Sequence, residues 1–98
     1  MKTKTLKTVH PGEVLVEEFL KPMGISQYRL GVATGLPHSR VTDICRERRN
    51  ITADSALRLA RCLGTTPEFW MRLQLQHDLR VAEFSNTYAA IPCLAASA

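Results

Sequence analysis

The sequence lacks most of what a small secreted, metal-binding or catalytic domain relies on. Its three cysteines, Cys45, Cys62 and Cys93, are an odd set with wide spacing and no CxxC pair. That argues against a disulfide framework or a zinc ribbon and for free thiols in a reducing compartment. His10, His38 and His77 are equally scattered, so no metal site is expected. No apolar run approaches the ~20 residues that span a bilayer, so no membrane partner is expected. The start from Met1 to Lys7 is charged, with no apolar core after it; no signal peptide is expected there, and the expected location is cytoplasmic. The chain has no HExxH, no Gly-rich phosphate loop, no paired Cys-His nucleophile arrangement and no cluster of carboxylates. Glu17 and Glu18 are adjacent and point about 100° apart around a helix rather than converging. Neither enzymatic activity nor a cofactor is expected.

What is present is one domain's worth of helix. Ninety-eight residues leave no room for a second core. A content of 45% apolar and 22% charged residues is that of a globular chain rather than a disordered one. Pro, Gly and capping residues divide it into five helical segments, with no β-type alternation, so the expected class is all-α. Residues 1–10, with three lysines, read as a flexible basic arm. Pro11-Gly12 opens a first helix through Lys21, ended by Pro22 and Gly24, with Val14, Leu15, Phe19 and Leu20 on its inner side. Ser26 caps a second, short helix to Thr34, with Leu30 and Ala33 inward and Gly35 as its stop. Pro37 starts a third, to about Arg48, on an inner stripe of Val41, Ile44 and Cys45. Thr52 caps a fourth, Ala53 to Leu63, whose stripe is Ala56, Leu57, Leu59, Ala60 and Leu63.

Thr66-Pro67-Glu68 supplies a cap, a first-turn proline and an early acid for a fifth helix reaching about Tyr88. That helix has two seams. Trp70, Leu73, His77, Val81 and Phe84 form one; Met71, Leu75 and Leu79 form the other. A lone surface helix on a small domain usually needs one stripe. The second predicts a homodimer through residues 67–88, with Met71, Leu75, Leu79 and Phe84 at its interface. The folded domain is thus expected over 11–88, with 89–98 as a frayed tail.

Two short helices joined at Gly35 and Leu36 make a helix-turn-helix over about residues 26–47. Seven arginines lie between Ser26 and Cys62 against Asp43, Glu47 and Asp54, a balance of +4, while the remaining segments cancel. Duplex DNA favours such a surface because each neutralised phosphate releases counterions.

Several strings together resemble a known family: His10-Pro11-Gly12-Glu13, Leu36-Pro37-His38-Ser39-Arg40, Ile51 through Ala60, and Gly64 through Trp70 with Asp78-Leu79-Arg80. They resemble the HigA-type antitoxins, also known as virulence-associated protein I, which carry a Cro/repressor-type (XRE) helix-turn-helix. The similarity runs from about His10 to Val81 in one order and without gaps. Gly31 stands where the family usually has alanine, and Thr34 where it usually has an apolar residue. The resemblance implies a five-helix, repressor-like domain that binds a palindrome in its own promoter as a dimer. It also implies a protein partner, a HigB-type mRNA endonuclease toxin. The alternative is a stand-alone or phage-like regulator of the same fold without a toxin.

In a repressor of this type the third helix lies in the major groove with its N-terminal part against base edges. Ser39, Arg40, Thr42 and Asp43 are then the candidate base readers. Arg40 leads them, because a bidentate contact to guanine contributes about 1–3 kcal/mol of discrimination. Asp43 either accepts from a cytosine amine or orients Arg40. Gln27, His38, Arg46, Arg48, Arg49 and Asn50 are the candidate contacts to the DNA backbone.

Overall fold

The computed structural model describes residues 8–95, and every regular element among them is a helix. The all-α expectation holds, with the five segments in the expected order. Helix α1 begins as an α-helix over Pro11–Val14, continues as a π-helix over Leu15–Leu20 and ends as an α-helix over Lys21–Met23. It is followed by α2 (Gln27–Thr34), α3 (His38–Cys45), α4 (Ala53–Leu63) and α5 (Pro67–Ser85). Most of the expected basic arm lies outside the described residues, but its last residue is not flexible. His10 is buried, and its Nδ1 accepts from the Gly12 N–H at 2.9 Å, capping α1 ahead of Pro11.

Pro22 was expected to help end α1, yet the helix runs through it and stops at Gly24, at φ +64°. A proline has no N–H to donate and its ring crowds the carbonyl four residues back. The wider π turn before it relieves that crowding, with the Lys21 N–H bonding the Val16 carbonyl.

Leu15, Leu30, Val41, Ile44, Leu59 and Trp70 are buried at the centre. Phe19 packs at 5.3 Å between ring centroids on Trp70, whose indole N–H donates to Thr65 Oγ1 at 2.7 Å. The pattern misassigned two faces. Ala33 is exposed and Thr34 is the buried residue; Leu57 is exposed and Ser55 is buried in its place. Both buried hydroxyls are satisfied locally, as burial requires. Thr34 Oγ1 donates to the Leu30 carbonyl at 2.7 Å and accepts from the Leu36 N–H at 3.3 Å. Ser55 accepts from Thr52 Oγ1 at 3.1 Å.

Two helices stop earlier than expected. α3 ends at Cys45 because Glu47 turns left-handed at φ +63°. The Arg48 N–H then reaches the Asp43 carbonyl and the Glu47 N–H the Ile44 carbonyl, a Schellman closure built without glycine. α5 ends at Ser85, where Asn86 becomes extended. Residues 86–95 are all exposed, so burial does not favour further turns.

Gly12 sets how α1 meets α3. A Cβ on Gly12 would overlap the carbonyl oxygen of Ile44 and sit 3.1 Å from His10 Nδ1. Two backbones therefore cross here with no side chain between them. Gly12→Ala is expected to destabilise the fold by about 1–3 kcal/mol or more, since backbone atoms must shift. An unchanged midpoint of urea denaturation in that variant would contradict the crossing.

Candidate nucleic-acid interface

The unit that presents the candidate site is α2, its turn and α3. Ser26 Oγ accepts from the Arg29 N–H at 3.0 Å and starts α2. Gly35, at φ +78°, ends it, as expected. Gly31 lies against the turn: a Cβ there would stand 3.1 Å from the Leu36 carbonyl oxygen and 3.7 Å from Val41 Cγ2. That tight approach gives the glycine at this position a packing reason. The anchors Leu30, Leu36, Val41 and Ile44 are all buried, which turns the rest of α3 outward.

On that outer surface His38 and Ser39 are exposed, while Arg40, Thr42 and Asp43 are half-buried. Thr42 Oγ1 donates to Gln27 Oε1 at 3.2 Å and lies 3.5 Å from His38 Nε2. The structure thus joins one candidate base reader, Thr42, to two candidate backbone contacts on two helices. The buried Nε of Arg40 has no hydrogen-bond partner in the structure. A guanidinium nitrogen left unpaired in this way costs free energy, and only the rest of the Arg40 side chain reaches the surface. Among the described residues Glu17 pairs with Lys21 and Asp54 with Arg58, while no ion pair joins Asp43 to Arg40.

Arg46, Arg48, Arg49 and Asn50 follow α3 as an exposed basic segment. It is bent by the left-handed Glu47 and tied down at Ile51, whose N–H donates to Gln74 Oε1 at 2.6 Å. Gln74 is buried and its amide nitrogen donates to Asp78 Oδ1 at 2.9 Å. The apolar pattern gives no signal for this glutamine, which lies between the two seams of α5. Nor does that pattern point to Tyr28. Its ring is exposed beside His38, with centroids 6.3 Å apart, on the surface that carries Gln27. An exposed aromatic one position after a candidate contact was the available clue.

Not every arginine in the basic stretch is free for phosphate. Arg58 donates from Nη1 to the Thr34 carbonyl at 2.8 Å and from Nε to Asp54 at 2.9 Å, closing the end of α2. On α5, Met71, Leu75 and Leu79 are exposed at 39%, 56% and 54% and Phe84 at 45%, while Trp70 and Gln74 point into the core. Cys45 is half-buried, and burial pushes its thiol up to about 11, which makes it a poor nucleophile. Among the described residues no three His, Cys, Asp or Glu side chains gather as metal ligands. No helix among them is long and apolar enough to cross a membrane.

Two short helices crossing at a tight turn, with a polar outer face on the second, define a helix-turn-helix DNA-binding domain. The helix-turn-helix family model matches residues 16–70. The chain is 47% identical over 78 residues to virulence-associated protein I of Dichelobacter nodosus, covering 80% of this chain and 72% of that one. It is 42% identical over 87 residues to antitoxin HigA-1 of Vibrio cholerae, covering 89% and 79%. The solved structure of the Pseudomonas aeruginosa antitoxin HigA with higBA promoter matches with a TM-score of 0.85 at 40% identity, covering 90% and 99%. The chain belongs to this helix-turn-helix family of virulence-associated protein I and the HigA antitoxins.

His10 gives the site's scaffold a pH dependence. Burial, and secondarily the nearby His77, lowers its pKa below the usual histidine value of 6.5. A depressed histidine contributes stability that is present above pH ~6.5 and lost as the pH falls through its folded value. Protonation would also remove the acceptor that caps α1. The urea midpoint is expected to drop on acidification below pH ~6.5. His10→Asn, which keeps an acceptor that does not titrate, should flatten that drop; an equally steep drop in the variant would contradict it.

Proposed function

We propose that this chain is an autoregulating repressor that binds an operator palindrome in its own promoter as a homodimer. It doubles as the antitoxin of a type II toxin–antitoxin pair, neutralising a HigB-type mRNA endonuclease. The observation that carries the DNA reading is the outward face of α3, where Arg40 stands beside exposed His38 and Ser39 while Val41 and Ile44 are buried behind it. Ser39, Thr42 and Asp43 share that helix as base readers. Gln27, His38, Arg46, Arg48, Arg49 and Asn50 surround it as contacts to phosphate.

The exposed stripe of Met71, Leu75, Leu79 and Phe84 supports the dimer, which places two copies of α3 on one side of the duplex. Support for the toxin partner comes from the family, since antitoxin HigA-1 is among the relatives; support for the operator comes from the Pseudomonas HigA solved with higBA promoter. An open reading frame for a small basic ribonuclease beside the gene is expected. Without one, the chain is a stand-alone regulator.

Fluorescence anisotropy with DNA from just upstream of the gene tests the repressor. Wild type is expected to prefer it over scrambled DNA by about 10³-fold or more. Arg40→Ala is expected to remove about 1–3 kcal/mol of that discrimination. Equal, steeply salt-dependent binding to both DNAs would mean contact with phosphate only and would overturn the reading.

A further inference from the structure

The chain beyond α5 is unlike an ordinary frayed end. Residues 83–95 are exposed throughout, and three large apolar side chains recur along them: Tyr88 at 50%, Ile91 at 68% and Leu94 at 91% exposure. Three such side chains left in water along one short segment point to a surface that covers them. They continue the open stripe of α5 past the end of the helix.

The charges on α5 decide how two copies of that helix pair. If the two run antiparallel about Leu75, Met71 of one faces Leu79 of the other, and Arg72 faces Asp78. A parallel pairing would set Arg72 against Arg72 and Asp78 against Asp78. Opposite charges favour the antiparallel form. In that register the partner's helix ends beside the loop at Gly64 to Thr66, where α4 meets α5.

The outer side of α4 holds apolar space at that point. A groove of about 430 Å³ is lined by Leu57, Ala60, Thr65 and Pro67, and an adjoining groove of about 660 Å³ by Ala33, Leu57 and Cys62 with Thr34 and the Asp54–Arg58 pair at its edge; Arg61 borders both. Leu57, 59% exposed, stands between them. The seven steps from Tyr88 to Ala95 reach roughly 23 Å when extended, enough to run the ~16 Å length of α4.

We infer that residues 86–95 form an arm exchanged between protomers, laying Tyr88, Ile91 and Leu94 into the groove along α4 of a second copy of this chain. The inference rests on the α5 dimer of the proposed function. It assigns an occupant to the exposed Leu57, which the protomer's own core leaves uncovered.

The chain's own thiols test it. Cys62 lines the groove and Cys93 lies on the arm, and both are exposed; Cys45, half-buried with its thiol pushed up to about 11, stays unreactive. A short bismaleimide should link wild type into covalent dimers. Cys62→Ser alone and Cys93→Ser alone should each lose the link, and a mixture of the two should regain it. In sedimentation equilibrium, Ile91→Asp with Leu94→Asp should weaken the dimer by at least ~10-fold, since each removes a buried apolar contact. A dimer that gives no cross-link and ignores those substitutions would overturn the arm exchange while leaving the α5 dimer standing. A monomer at micromolar concentration would overturn both. Cross-linking of Cys93 only when a toxin protein is added would assign the arm to that partner and also overturn the exchange.

Discussion

The backbone contact between Gly12 and Ile44 is the constraint on which the rest of the molecule depends. It lets the start of α1 rest directly on the inner end of α3, with no side chain to hold them apart. The string His10-Pro11-Gly12-Glu13 then has a physical meaning at each place. His10 caps the helix, Pro11 presets its first turn, Gly12 makes the crossing, and Glu13 puts a negative charge near the helix N-terminus. His10 also stacks edge-on against His77, with ring centroids 4.9 Å apart, so the same four residues tie α5 to the helix-turn-helix. From the other side, Gln74 holds the basic segment after α3 at Ile51. Helix α3 is only eight residues long, and its attitude comes from these attachments rather than from its own stability.

Charge and role separate within the basic stretch. Its net positive balance draws a polyanion, but the individual arginines do different things. Arg58 is committed to the Thr34 carbonyl and to Asp54, so it fixes the turn between α2 and α3. Arg40 is half-buried on the outward side of α3, which suits a side chain held in place for a base edge. Arg46, Arg48 and Arg49 stand in solvent beyond α3 and suit sequence-independent contact with phosphates.

The helix starts were legible in the sequence because capping is local. Ser26, Thr52 and Thr66 each accept from the N–H three residues on, as their residue types imply. The ends were less legible. Glu47 adopts a left-handed turn without the glycine that normally marks one, so α3 looked longer than it is. Pro22 looked like a stop because the π turn that accommodates it has no sequence signature. The apolar pattern passed over Thr34 and Ser55 because it cannot register a hydroxyl satisfied by its own or a neighbouring turn, although the family's usual apolar residue at Thr34 marked that position. Within the candidate site the outward face of α3 was foreseen. The hydrogen bond from Thr42 to Gln27, the half-burial of Arg40 and the anchoring by Gln74 are tertiary facts that spacing does not carry.

Two copies of α3 presented together on one side of a duplex are the centre of this account, and hydroxyl-radical footprinting on the DNA upstream of the gene examines that directly. Two protected patches are expected on the same face of the duplex, separated by about one helical turn (~34 Å) or a multiple of it. Protection spread evenly along the fragment, or confined to one patch at every protein concentration, would contradict it.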